Sequence, residues 1–420
     1  MKKITKLLSI ITIISILLTA NIVYAQQSTL SDEQCIKSVV EAYLDSYFKS
    51  FITLRQEDTN NIVEENNDTL LYKKMHEWQL AANKMFDTGY KNYELSIDYK
   101  NLSIRNSVAN IDILLHVDYQ YKNAGDIESG LYNIPYTFIL QQKGDSWIIT
   151  KIDSSFDEFE YFKADVDKKI KAHMSKKKAI DEVANEKIRN ISLLAEQMKT
   201  SSINRQEVES ENVIIQSGSY SYSASNGASY ATRFAEAPIS NRFFYTVSGG
   251  DCTNFVSQCV WAGYGGYVST NDTTTKNNIA NKVRMVPNVW HGGTGGGMTN
   301  WENVTSFWNY AISSKSVGPK GTGSNNNGKA TNLTYGTIVK GNALQVRYGS
   351  SGSYGHSVYV SSVLLGPPEY GDPCGFKLIY VCQHTSDKKN RMLLDLVNAW
   401  GGSSNCYMRK ISFSTANFNS

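Results

Sequence analysis

The stretch Gly249-Gly250-Asp251-Cys252-Thr253-Asn254-Phe255-Val256-Ser257-Gln258-Cys259-Val260 sets a cysteine directly after a residue that favours helix N-caps. Cys252, Phe255, Val256, Cys259 and Val260 recur at helical spacing, so a helix with one buried face begins at Cys252 and ends at Gly263 or Gly265. At the first turn of a helix the dipole favours a thiolate. The unpaired N–H groups there can hold an oxyanion. A thiolate in that position is set up for attack on a carbonyl carbon. Cys259, two turns further along the same face, reads as a core residue.

A nucleophilic cysteine needs a base, and the C-terminal half offers His291, His356 and His384. His356 opens an apolar run to Val363, and a second run leads from Lys377 to His384. Between them stands a turn-rich connection holding Pro367, Pro368, Gly371, Pro373 and Gly375. An antiparallel hairpin with Val363 opposite Lys377 sets His356 opposite His384 on one face. In that register one imidazole serves as base and the other orients it, with Asp387 and Asn398 as competing orienters. His291 reads as a loop or groove residue. Asp251, Tyr348 and Tyr354 flank the nucleophile and the base and are the expected substrate contacts. A zinc ion held by Cys252, His356 and His384 is the competing chemistry. The expectation here is a site without metal or other cofactor.

The elements that must carry these residues follow from charge and periodicity. The 420-residue chain has 42 Lys+Arg and 39 Asp+Glu, a formal charge of +3. Lys2, Lys3 and Lys6 precede the apolar run 7–20 and a small-residue end at Ala25, the pattern of a secretory signal peptide over 1–25. Residues 217–420 hold 16 basic and 8 acidic residues, a net of +8, and the remainder of the mature chain carries the opposite −8. Such asymmetry marks a boundary and a hint of an anionic partner; no nucleic acid partner is expected from so balanced a total. Ser31 to Gln34 is a capping-box pattern ahead of an apolar stripe from Ile36 to Phe51, and a second helix is expected near 70–88. Strands are expected through 111–121, 132–142 and 146–153. The element order over 26–155 resembles an α+β cone of the nuclear-transport-factor or SnoaL-like type. Residues 156–216 read as a charged helical linker used as a spacer, with Lys176–Lys178 on a solvated face. Residues 217–420 form the domain that carries the chemistry. The Gly323–Ala330 stretch only approaches a phosphate-binding loop and reads as a plain loop.

Several segments together resemble the secreted amidase-domain family of Gram-positive bacteria, papain-like cysteine hydrolases related to NlpC-type and CHAP domains. The carrying residues are Tyr230-Ala231-Thr232-Arg233-Phe234, GGDCTNFVSQ (249–258), Trp301 within TNWENVTSFWNY, GHSVYV (355–360) and QHTSD (383–387). The resemblance spans about 220–420. It implies Cys252 as nucleophile, His356 as base, and a third polar residue on the next strand, matched by His384. Ser225-Asn226-Gly227 stands where the family often has an Asn-Arg pair, so the helix start there is expected to differ. The fold class is therefore α+β: a cone-like accessory domain, a helical linker and a papain-like amidase domain. The implied activity is amide hydrolysis in peptidoglycan by an exported or wall-associated enzyme with no stable membrane span. A wall-binding protein of the same fold without catalysis is the alternative.

Overall fold

The computed structural model describes residues 31–200, 218–248, 250–366, 372 and 374–418. The leader expected over 1–25, residues 201–216 of the charged segment and much of the Gly/Pro-rich connection after 366 lie outside the described residues. Helix α1 (Asp32–Thr53) starts with the capping box at Ser31 and Gln34, and its stripe from Ile36 to Phe51 is buried. Helix α2 (Asn67–Phe86) is capped by Asn66. Both pack on an antiparallel meander of β1 (Tyr90–Arg105), β2 (Val108–Tyr121), β3 (Ser129–Lys143) and β4 (Ser146–Ser154). Strands β2 to β4 fall where alternation places them. Strand β1 is additional: it is the outermost strand, so its alternating Tyr93, Leu95, Ile97 and Tyr99 are only half-buried.

Helices α3 (Asp157–Lys171) and α4 (Lys176–Thr200) occupy most of the expected spacer. Here the structure differs from the expectation. Phe159, Phe162, Val166, Ala179, Ile180, Val183 and Ile191 are buried in the same core as α1, α2 and the meander. A high charge content hid an apolar stripe at helical spacing, and such a stripe is buried wherever a facing surface exists. Lys177 and Lys178 do lie exposed.

The second half begins with the short strand β5 (Ser219–Tyr220) and continues through α5 (Ala224–Ala235), α6 (Cys252–Gly263), α7 (Asp272–Ala280), α8 (Thr299–Glu302) and α9 (Val304–Ile312). Strands β6 (Lys320–Ser324), β7 (Ala343–Tyr348), β8 (His356–Val363), β9 (Ile379–Gln383) and β10 (Asp387–Met392) follow. Helices α10 (Leu393–Ala399) and α11 (Gly402–Asn405) lead into β11 (Cys406–Ser414) and β12 (Ala416–Asn417). The class is mixed α and β with an antiparallel sheet. That sheet does not stop at the boundary near 217. Ten strands run in the order β1-β2-β3-β10-β9-β8-β7-β11-β6, with β4 on the far part of β3. The joint is β3 with β10, Gly130–Tyr132 against Asp387–Lys389.

One face of the C-terminal strands packs on α5, α6 and α9 through Tyr359, Cys382 and Ile411. Gly227 lets α5 approach: a Cβ there would stand 2.0 Å from the Tyr359 hydroxyl. The opposite face, with Val358, Val360 and Val381, belongs to the core of the N-terminal half. Glu158 of α3 fastens this contact. Both its oxygens lie 3.0 Å from Lys388 Nζ, and one lies 2.5 Å from Arg391 Nη2, all three side chains being buried. Burial pushes the Glu158 carboxyl up, but Lys388 and Arg391 more than offset this and hold it below its usual range. Breaking a buried ion cluster by removing one partner leaves uncompensated charge. Glu158→Gln is therefore expected to lower unfolding stability by about 3–5 kcal/mol in urea titration; a loss within about 0.5 kcal/mol would contradict this role.

Candidate active site

Cys252 is the first residue of α6, and the motif around it is pinned by its own side chains. Asn254 donates from Nδ2 to the Tyr245 carbonyl (2.9 Å) and accepts from Trp301 Nε1 (2.7 Å). Ser257 donates to the Trp301 carbonyl (2.7 Å), and the Thr253 and Ser357 hydroxyls bond at 2.9 Å, tying the first turn to β8. Trp261, Trp290, Trp301 and Trp308 are all core residues of this half. None of the six cysteines, all of them among the described residues, is joined in a disulfide.

His356 begins β8 beside the first turn of α6. Cys252 is 5% exposed and His356 3% exposed. Burial alone pushes the thiol up, but the charge and hydrogen bond of His356 more than offset it, and the Cys252 thiol lies below its ordinary range. In the same way burial pushes the imidazole down, yet Cys252 holds it above its ordinary range. Opposed shifts of this kind favour a thiolate–imidazolium pair. Trp400 stacks on the His356 ring, with centroids 5.9 Å apart at 15°, and Tyr161 of α3 packs on Trp400 at 4.6 Å.

The expected hairpin register is corrected by the structure. Tyr359 pairs with Cys382 and Val360 with Val381; after a bulge, Ser362 pairs with Tyr380 and Val363 with Ile379. The strand also starts at Ile379 rather than Lys377, because Phe376–Leu378 forms a 3-10 turn. This offset moves every partner by one or two positions from the assumed alignment, and a one-residue slip exchanges the two faces of a strand. His356 therefore shares a face with Gln383, not with His384. His384 points to the other face and stacks on Phe255 at 4.0 Å. Its Nδ1 bonds Asp251 Oδ2 (2.6 Å) and its Nε2 bonds the Phe234 carbonyl (2.9 Å), so neither ring nitrogen is left for His356. The same placement parts His384 from the Cys252/His356 pair that a shared zinc would require. Among the described residues no three His, Cys, Asp or Glu groups are arranged to hold a metal ion.

Asp251 is also placed differently from expectation. Its side chain does not cap α6. Instead Oδ1 accepts from the Val247 N–H and from Asn254 Nδ2, both at 2.8 Å, while Oδ2 bonds His384. It is a buried strut rather than a substrate contact, and the first-turn N–H groups of α6 keep no side-chain cap. Tyr354 is buried between the Arg347 and Arg409 guanidinium groups, its hydroxyl accepting from the Asn327 N–H (3.0 Å). Tyr348 is 45% exposed but lies beside Lys168 and Lys187 of the N-terminal half. Asp387 pairs with Arg242 and accepts from Asn133 Nδ2 (2.8 Å); Asn398 lies in α10; His291 accepts from the Asn288 N–H in a loop. None of these three is bonded to His356.

Gln383 is the polar neighbour that sequence reading passed over by one position, and its side chain supports the raised His356. His356 Nε2 has no partner of full hydrogen-bond geometry, a looseness common before substrate binds. Asp157 and Tyr161 reach the site from α3. No spacing in the sequence links them to residues some hundred positions away; only the clue that polar Gln383 ends an apolar strand was available.

A family model described as "Putative amidase domain" matches residues 221–409. This stretch carries an amidase-like domain, which supports hydrolase activity. No curated protein matches the chain. Among solved structures, a conserved protein from Planctomyces limnophilus DSM 3776 is similar over 30% of this chain and 98% of its own, at 15% identity and a TM-score of 0.20. That likeness is too slight to bear on fold or function.

The thiol shifts yield a direct expectation. Burial pushes Cys374 up to about 12 and Cys382 up to about 11, and pushes Cys259 and Cys406 up as well. Iodoacetamide near neutral pH should therefore label Cys252 ahead of these four, read by peptide mass spectrometry. His356→Ala should slow Cys252 labelling about tenfold or more, since the uncompensated burial then raises the thiol. Equal labelling in both proteins would remove His356 as the cause.

Proposed function

We propose that the chain is an exported cysteine amidase that cuts peptide amide bonds of the bacterial cell wall. The observation that carries this reading is the buried Cys252–His356 pair at an uncapped helix start, with the thiol shifted down and the imidazole up. The match at residues 221–409 supports amide hydrolysis. The cysteine mechanism and papain-like layout follow from the pair and from the helix that packs against the strand bearing the histidine. The cone-like reading of 26–155 rests on two helices ahead of an antiparallel meander.

In this mechanism the Cys252 thiolate adds to the amide carbonyl carbon. The oxygen takes the negative charge and lies against the first N–H groups of α6. His356, as imidazolium, gives its proton to the departing amine as the C–N bond breaks, leaving a thioester. His356 then takes a proton from water, the hydroxide adds to the thioester, and the acid leaves as the thiolate re-forms. Gln383, rather than His384, is the residue that orients His356.

The wall as substrate rests on the leader pattern over 1–25 and on the net +8 of the half bearing Cys252, which attracts anionic wall polymers. The near-complete burial of the pair is the feature that favours the second reading, a wall-binding protein without catalysis. One experiment separates them. Purified peptidoglycan is incubated with the protein, and the released amines and fragments are analysed by mass spectrometry. Wild type should release new ends, Cys252→Ala should lose about 10³-fold or more of that rate, and EDTA should leave it unchanged. Persistence of hydrolysis in the alanine variant would sink the nucleophile. Wild type that binds the wall without cutting would establish the second reading. The rate profile should show an acid limb below the ordinary thiol value of about 8.5 and an alkaline limb above the ordinary imidazole value of about 6.5. Binding to walls should weaken as salt rises.

A further inference from the structure

We propose that the N-terminal half completes the active site: Asp157, in the first turn of α3, fixes the Gln383 amide so that its oxygen faces His356, and is a positioning residue for the amidase reaction. The proposal deepens the reading above and rests on it.

The Gln383 side chain is fully buried. Three acceptors surround its Nε2: Asp157 Oδ2 at 3.1 Å, the Thr385 carbonyl at 3.1 Å and the Ser386 carbonyl at 3.2 Å. A carboxylate and two carbonyls can only accept, so the atom among them must be the NH₂. The amide oxygen is thereby turned the other way, where Arg391 Nη1 donates to it at 3.4 Å and where His356 lies. As substrate binding tightens the site, an oxygen facing the ring accepts one imidazole N–H and holds the ring in place while the other nitrogen exchanges its proton. Of the three acceptors, only Asp157 is charged and only Asp157 comes from outside the strand's own turn. A charge-assisted bond is the strongest of the set.

Asp157 is itself held. Its backbone N–H donates to Ser386 Oγ at 3.1 Å, and Ser386 Oγ donates back to Asp157 Oδ1 at 3.0 Å. The carboxylate is 7% exposed and sits at a helix start, where the dipole favours negative charge. Its field also contributes to the raised His356 imidazole. Asp157 of α3 acts on the His356 ring and Tyr161 of α3 interacts with Cys252, while Glu158 of α3 and Arg391 of β10 act on Tyr161, and Arg391 also bonds the Gln383 oxygen. Asp157 is the acidic one that also bonds the His356 neighbour. Without the N-terminal half, Gln383 would keep only the two carbonyls of its own turn.

The test uses the full chain and separates positioning from mere docking of α3. Asp157→Asn keeps the shape and removes the charge. Expected are a fall in kcat on purified peptidoglycan of about tenfold to a hundredfold, part of what a positioned acid–base supplies, with KM little changed, and an alkaline limb moved to lower pH. Ser386→Ala removes the docking bonds and leaves the Gln383 side chain untouched; it should keep the limb of the wild type. Asp157→Glu keeps a charge and should also keep the limb, with a lowered kcat. The His356 midpoint, followed by NMR on histidine-labelled protein and assigned by loss of the signal in His356→Asn, should fall in Asp157→Asn; this readout needs no substrate. A superimposed midpoint and limb in Asp157→Asn, or an equal shift in Ser386→Ala or Asp157→Glu, would overturn the proposal. Loss of hydrolysis dependence on Cys252 would instead overturn the amidase reading, leaving the NMR comparison to decide the placement of Asp157.

Discussion

The site depends on one tight turn, His384-Thr385-Ser386, between β9 and β10. Thr385 and Ser386 both take left-handed backbone angles, φ 65° and 53°, without being glycine. Such residues cost of order 1–2 kcal/mol each and persist where surrounding bonds fix them. Here the bonds run in three directions. His384 holds the Asp251 carboxylate, and the Asp251 N–H donates to Thr385 Oγ1 at 2.9 Å, so the turn fixes the residue ahead of Cys252. The Thr385 and Ser386 carbonyls return to Gln383, beside His356. Ser386 Oγ meets Asp157 of α3. Cys252, His356 and helix α3 are all referred to the same three residues.

The continuous sheet sets where α3 must land. Because β3 pairs with β10, the meander of the N-terminal half and the strands of the amidase-like half share one twist and one offset. The face of β8 and β9 that carries His356 and Gln383 is then the face the N-terminal half covers. Glu158 with Lys388 and Arg391 closes the contact electrostatically. Buried ions of this kind give little net stability but tolerate few alternative alignments, since a shifted helix would leave charge unpaired. The two halves, opposite in net charge, thus form one structural unit around the Cys–His pair.

Burial gives the chemistry its character. A thiol and an imidazole removed from water each resist ionisation, and their mutual attraction does most to reverse both shifts. Trp400, stacked on the His356 ring, and Tyr161, packed on Trp400, form part of that enclosure. Asp251 shows how a residue type suited to one task is used for another. A free aspartate before a helix caps it; with His384 opposite, the carboxylate is drawn to the imidazole and the helix start is left without a side-chain cap.

Much of the fold was legible because local rules dominate it. Helix α1 and its capping box, the helix start at Cys252, β2 to β4 and the eight residues of β8 follow from periodicity and end signals within a few residues. Cys252 and His356 were legible for the same reason: each is placed by its own helix or strand. The spacer reading of 156–200 failed because composition says how charged a helix is, not what surface its apolar stripe will meet. His384 was set opposite His356, on the face that Gln383 occupies, because residue alternation fixes which positions share a face within a strand but leaves the offset between strands open. A bulge near Ser361 and a 3-10 turn at Phe376–Leu378 decided that offset. The sequence by itself thus determined that Cys252 opens a helix and His356 opens a strand. The register was settled by that bulge and turn, and the joining of the sheets and the arrival of Asp157 at Gln383 only by tertiary packing, because these last two depend on surfaces brought together across more than two hundred residues.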